Sequence, residues 1–103
     1  MNPSIEYIIE TDSDEEIATI LENAGFESLL TSYDNFKISG IHFKDGVAVR
    51  YNIDRSNPVC RLELYINGLF TPKESNALDI IFGALVESEL KFRKTRDDIY
   101  KTP

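Results

Sequence analysis

Apolar and polar positions alternate most regularly near the middle of the chain. Cys60, Leu62, Leu64 and Ile66 interleave with Val59, Arg61, Glu63, Tyr65 and Asn67. A period of two sends successive side chains to opposite faces of a strand, one apolar and one wet. Val47, Val49, Tyr51 and Ile53 repeat the pattern against Ala48, Arg50 and Asn52. With a partner strand from Phe36 to Phe43, these segments predict a three-stranded antiparallel meander between Phe36 and Phe70. Ile5, Tyr7 and Ile9 alternate with Glu6 and Glu10 and predict a fourth strand over residues 4 to 10. Ile8 interrupts its polar side, which implies cover on both faces.

The turn Lys44-Asp45-Gly46 decides which side of the sheet each residue of the first meander strand occupies. A two-residue Asp45-Gly46 turn pairs Lys44 with Val47 and puts His42 on the apolar face beside Val49. A three-residue loop with Gly46 left-handed pairs Phe43 with Val47 and Ile41 with Val49, matching apolar to apolar. The second closure is the one expected. It requires a bulge near Ser39-Gly40, because Phe36 and Ile38 differ in parity from Ile41 and Phe43. The wet face would then present Lys37, His42, Arg50, Asn52, Arg61, Glu63 and Tyr65.

A period near 3.6 appears twice. Ser13 with Glu16 has the spacing of a capping box, and Ile17, Ile20, Leu21 and Ala24 follow at i, i+3, i+4, i+7. Gly25 stands where the backbone turns left-handed, and Phe26 is placed to fold back onto Leu21. The second helix opens at Thr71-Pro72-Lys73-Glu74, a capping box with Pro at the first helical position. Its stripe is Leu78, Ile81, Phe82 and Leu85, with Phe92 two turns on, while Ala77, Ile80, Ala84 and Val86 widen the apolar arc. An arc that wide needs cover from more than one side. Gly83 in its middle implies a close neighbour, because Gly costs about 1 kcal/mol relative to Ala in a helix. The pairs Glu87 to Lys91 and Glu89 to Arg93 continue this helix, and Lys91, Arg93, Lys94 and Arg96 complement its C-terminal dipole. Residues 27 to 35 show no period and stay unassigned. Asp54 to Pro58 reads as a loop, and residues 97–103 as a fraying tail.

The order is therefore β-α-β-β-β-α: an α+β fold with an antiparallel sheet, a meander plus an N-terminal strand, and two helices on one face. At 103 residues the chain, 1–103, is expected to form a single domain. It has no signal-peptide pattern and no apolar run of membrane-spanning length, which predicts a cytoplasmic protein.

Charge changes this picture. The formal net charge is -7, and it is unevenly placed. Residues 1 to 36 hold nine acidic side chains and no Lys or Arg, whereas residues 37 to 103 hold nine acidic and eleven basic. Such a surface opposes a duplex or an anionic membrane and suits a basic protein. The candidate contact residues are Asp12, Asp14, Glu15, Glu16, Glu22 and Glu27. The sheet-face candidates are His42, Arg50, Arg61, Glu63 and Tyr65.

Catalytic and metal chemistry find little support in the sequence. His42 is the one histidine, Cys60 the one cysteine, and the five glycines are scattered singly. That excludes a multi-histidine metal site, an internal disulfide and a glycine-rich phosphate loop. The acidic run Asp12 to Glu16 lacks the Gly and the distal Glu of an EF-hand. No metal, cofactor or nucleic acid is expected. The function these features favour is a small acidic domain that neutralises or escorts a basic partner, as an immunity protein or inhibitor does. The alternative is a homodimeric scaffold or chaperone-like subunit that pairs through the last helix.

Overall fold

The computed structural model describes residues 3–100. Its elements are β1 (Ser4–Ile9), α1 (Asp14–Asn23), β2 (Glu27–Tyr33), β3 (Lys37–Lys44), β4 (Val47–Asp54), β5 (Val59–Ile66), α2 (Pro72–Glu87) and β6 (Phe92–Asp97). The fold is α+β, with two helices and one six-stranded sheet in the order β2-β3-β4-β5-β1-β6. Every neighbouring pair of strands is antiparallel.

The sheet has two strands more than the four expected. β2 comes from the unassigned stretch, where all seven residues are exposed, so no burial period marks it. β6 comes from a segment expected to continue the second helix. That helix instead ends at Glu87. The Ser88 hydroxyl donates to the Leu85 carbonyl at 2.6 Å and accepts from the Leu90 amide at 3.2 Å. Glu89 then adopts a φ of 63° and redirects the chain. Serine competes in this way with the helical ladder. Phe92 consequently sits on a strand opposite Ile9, and the Glu87–Lys91 and Glu89–Arg93 helical pairs do not form. β1, flanked by β5 and β6, has both edges paired.

The β3–β4 register also differs from the expected one. Lys44 pairs with Val47 and His42 with Val49, without interruption from Lys37 to Lys44. Asp45 and Gly46 have φ of 50° and 81°, the two-residue turn whose twist matches that of the flanking strands. Ile41 and Phe43 therefore face away from the helices, and His42 faces them. Two contacts make this register tenable. Lys44 Nζ donates to the Ala24 carbonyl at the end of α1, at 3.0 Å. Gly40 forms no bulge; it leaves room for Tyr51, whose Cε1 would lie 2.5 Å from a Cβ at that position.

One face of the sheet carries Ile5, Tyr7, Ile9, Ile38, Val47, Val49, Tyr51, Ile53, Cys60, Leu62, Leu64 and Ile66. They form a single core with Ile17, Ile20, Leu21, Ala24 and Phe26 from α1 and its exit, and with Ala77, Leu78, Ile81 and Leu85 from α2. α1 starts with the Ser13 hydroxyl accepting from the Glu16 amide at 3.2 Å. It ends as the sequence predicts: Gly25 is left-handed at φ 84°, its amide donates to the Glu22 carbonyl, and the Phe26 amide donates to Leu21. At α2 the Thr71 amide donates to Glu74 Oε1 at 2.7 Å.

Beside Gly83 no heavy atom lies within 4 Å of a built Cβ, so the close neighbour expected there is absent among the described residues. Part of the wide arc is instead covered by β6, since Phe82 stacks edge-on against Phe92 with centroids 6.0 Å apart. Asp98 donates its amide to the Ser4 carbonyl at 2.8 Å. Residues 101–103, the end of the tail expected to fray, lie outside the described residues. No helix among the described residues is long and apolar enough to cross a membrane.

Candidate functional site

Helical spacing, rather than distance along the chain, sorts the six acidic candidates. Glu15, Glu16, Thr19, Ile20 and Asn23 form the flank of α1 toward α2. Together with Ala84, Glu87, Ser88 and Leu90 they line a groove of about 590 Å³. Three carboxylates and no lysine or arginine line it, above a floor that includes Ile20 and Ala84. Asp14 lies on the other flank, where its carboxylate accepts from the Tyr33 hydroxyl of β2 at 3.0 Å. That bond holds the Tyr33 phenol above its ordinary range. Glu22 is the carboxylate that acts on His42. Glu27 pairs with Phe43 on the side of the sheet away from the core, and Asp12 is exposed ahead of the helix.

Only Glu15 and Glu16 of the six therefore share the groove. Glu87 completes it. Its role as a site residue is invisible while it is read as the i,i+4 partner of Lys91; the turn at Ser88 and Glu89 frees it.

The sheet-face candidates divide as well. His42 is 2% exposed and faces the helices, so it is not on the wet face. Its Nδ1 has no hydrogen-bond partner, and burial holds its pKa below the ordinary imidazole value, with Glu22 opposing. Its ring centroid lies 5.9 Å from that of Tyr51. Arg50, Arg61, Glu63 and Tyr65 do lie on the far face, and they engage one another or their neighbours there. Arg61 Nε lies 3.6 Å from Glu6 and Arg96 lies 3.3 Å from Glu63. The Arg50 guanidinium stands 5.9 Å from the centroid of the Tyr65 ring. The Tyr65 hydroxyl donates to Glu63, which raises the phenol above its ordinary range. Exposed pairs of this kind contribute about 0–1 kcal/mol each, so their main effect is to neutralise that end of the face. At the other end the exposed Leu30 and Phe43, with the half-buried Ile41 between the strands, present apolar surface at the β2 edge.

Nucleophilic chemistry has no foothold at Cys60. It is fully buried, and desolvation pushes its thiol up to about 12, so the thiolate is suppressed. Among the described residues no three His, Cys, Asp or Glu side chains converge as a metal-binding group.

No protein-family model and no curated protein matches the chain. Among solved structures it is similar to the adenosylmethionine decarboxylase from Aquifex aeolicus. The TM-score is 0.46 and the identity 12%, covering 99% of this chain and 96% of that one. A likeness at this level transfers neither a reaction nor a residue.

Proposed function

We propose that the chain is a small, non-catalytic, cytoplasmic binding domain that docks a basic segment of a partner protein along the α1–α2 groove. It would neutralise or escort that partner in the manner of an immunity protein or inhibitor. The observation that carries the reading is the groove lining, where Glu15, Glu16 and Glu87 stand over an apolar floor with no basic side chain among them. A segment carrying Lys or Arg with an apolar residue between would satisfy both the walls and the floor. Opposite charge speeds the encounter at low salt and is screened at high salt.

The test is capture of partners from an extract of the source cells at about 0.01 M and about 1 M salt, where the Debye length is about 30 Å and about 3 Å. A basic partner retained at low salt, and lost from a Glu15→Lys/Glu87→Lys variant, supports the reading. Acidic partners only, or retention indifferent to salt and to both substitutions, sinks it.

A second reading is self-association, for which two surfaces are candidates. The last helix does expose Phe82 and Val86, at 50% and 54%. β2, however, is an edge strand that is uncharged from Ser28 to Tyr33, carries the exposed Leu30, and adjoins the half-buried Ile41 and the exposed Phe43. The opposite edge, β6, carries Arg93, Lys94 and Arg96, the kind of charge that discourages edge pairing. Sedimentation of the native chain and of Leu30→Lys and Val86→Lys variants distinguishes the two surfaces. A monomer at all concentrations removes this reading.

A further inference from the structure

On the flank of α2 opposite the acidic groove, a second cleft of about 380 Å³ opens between the helix and β6. We propose that it binds a small organic cation, with the apolar body seated among aromatic rings and the charged nitrogen facing Asp79. The proposal is independent of the groove, since the two sites share no lining residue.

Four rings line the cleft: Tyr7, Phe82, Phe92 and Tyr100. Tyr7 and Phe92 meet edge to face at 5.8 Å, and Phe82 meets Phe92 at 6.0 Å and 80°. The floor is firm, because Tyr7 and Leu78 are buried core residues. Tyr100 is held in place from three directions. Its hydroxyl lies 3.1 Å from that of Ser75, its amide donates to Asp97 at 2.9 Å, and its ring packs edge-on against Phe70. A preformed concave site with an aromatic lining and few polar groups is the usual form of a small-molecule pocket.

The charges select the ligand. Lys94 is occupied by Asp97 at 2.8 Å. Arg93 also lines the cleft, but it stands opposite Ile8 in the sheet, and strand alternation directs its side chain toward the far face. Asp79 lines the cleft and forms no ion pair among the described residues. The side chains whose charge reaches the Tyr7 phenol include one ammonium, Lys94, and two carboxylates, Asp97 and Asp79. Of the charged residues that line the cleft, Lys94 is paired with Asp97 and Asp79 is the carboxylate left without an ion partner among the described residues. Ring faces attract a cation, most strongly where water is displaced. A neutral ligand would desolvate Asp79 without pairing it, and an anion would be repelled.

Three probes of one shape test this: phenethylammonium, 2-phenylethanol and phenylacetate. Tyrosine fluorescence reports binding, since the chain has five Tyr and no Trp, and amide chemical shifts locate it. The expected result is saturable binding of phenethylammonium with shifts confined to the cleft walls: α2, β6, the Ile5–Tyr7 part of β1 and Tyr100. The alcohol should bind at least about tenfold more weakly, which corresponds to about 1.4 kcal/mol, and phenylacetate should not bind. Asp79→Asn should weaken the ammonium probe by about tenfold and leave the alcohol unchanged, while Phe82→Ala weakens both. Asp79 and Phe82 are exposed, so circular dichroism is expected to show both variants folded. Equal affinity for the ammonium and the alcohol, an unchanged Asp79→Asn variant, or no saturable binding of phenethylammonium each overturns the proposal.

Discussion

Replacing Gly40 with Ala puts the β3 register to a quantitative test. A Cβ at Gly40 would lie 2.5, 2.6 and 2.7 Å from Cε1, Cζ and Oη of Tyr51. Ordinary contact begins near 3.4 Å, so the ring must retreat by most of an ångström. It has little room to do so, because Tyr51 is 2% exposed and neighbours His42. Overpacking of this kind costs about 1–3 kcal/mol. Gly40 is not among the glycines with positive φ, so Ala also gains about 0.4–1 kcal/mol by restricting the unfolded chain. The steric term wins, leaving a net loss of up to about 2.6 kcal/mol.

Urea unfolding measures that loss as a lower midpoint at unchanged slope. In a domain near this size each kcal/mol lowers Tm by about 4–8 °C. The decisive comparison is a double-mutant cycle with Tyr51→Leu. If the clash is the cause, Gly40→Ala becomes neutral or stabilising once the ring is gone, with a coupling of about 0.5–3 kcal/mol. A Gly40→Ala protein as stable as the parent, or a cycle that closes additively, would refute the packing of Gly40 against Tyr51 and with it the register.

Three further outcomes follow from the same structure. The pKa of His42 is lower folded than unfolded, so the unfolded chain binds the extra proton first; stability is full above about pH 6.5 and declines as pH falls from there toward the folded value. Urea midpoints should drop between neutral and mildly acid pH and flatten in His42→Leu, and an unchanged slope in that variant would assign the effect elsewhere. Lys44→Met removes the bond to the Ala24 carbonyl at the end of α1 and should cost about 1 kcal/mol, read as a lower Tm; equal stability would mean that Lys44 is merely tolerated. Thr71→Ala opens the capping box of α2 and should lose about 0.5–2 kcal/mol; because Thr71 hydrogen bonds hold the Glu74 carboxyl below its ordinary range, part of that loss should vanish in acid as Glu74 protonates, and a pH-independent loss would refute the coupling.

What the sequence conveys about this fold is burial, and its blind spots are the elements that bury little. β4, β5 and the two helix stripes are legible because each presents a continuous apolar face to one core. β2 buries nothing and so carries no period. β6 offers only Phe92 to the core, and its run of basic residues fits a helix end as well as an edge strand. The β3 register misleads for a different reason. Pairing apolar with apolar would be right for an isolated hairpin, but here α1 ends above the sheet and accepts the Lys44 ammonium, while Gly40 admits the Tyr51 ring. Tertiary contacts that no local window contains reverse the preference.

The same distinction explains the candidate site. Charge along the chain is plain, yet Asp14, Glu16 and Glu22, all within nine positions, serve three surroundings: a tyrosine hydroxyl on β2, the groove, and the buried His42. Glu87, far away in sequence, joins Glu15 and Glu16 because α2 stops where Ser88 captures its last carbonyls. A charge reversal at Glu16 should therefore weaken a basic partner, whereas the same change at Asp14 should act first on the Tyr33 contact and on the β2 edge. If both reversals depress binding equally, the acidic third of the chain works as a diffuse field, and the groove has no special standing.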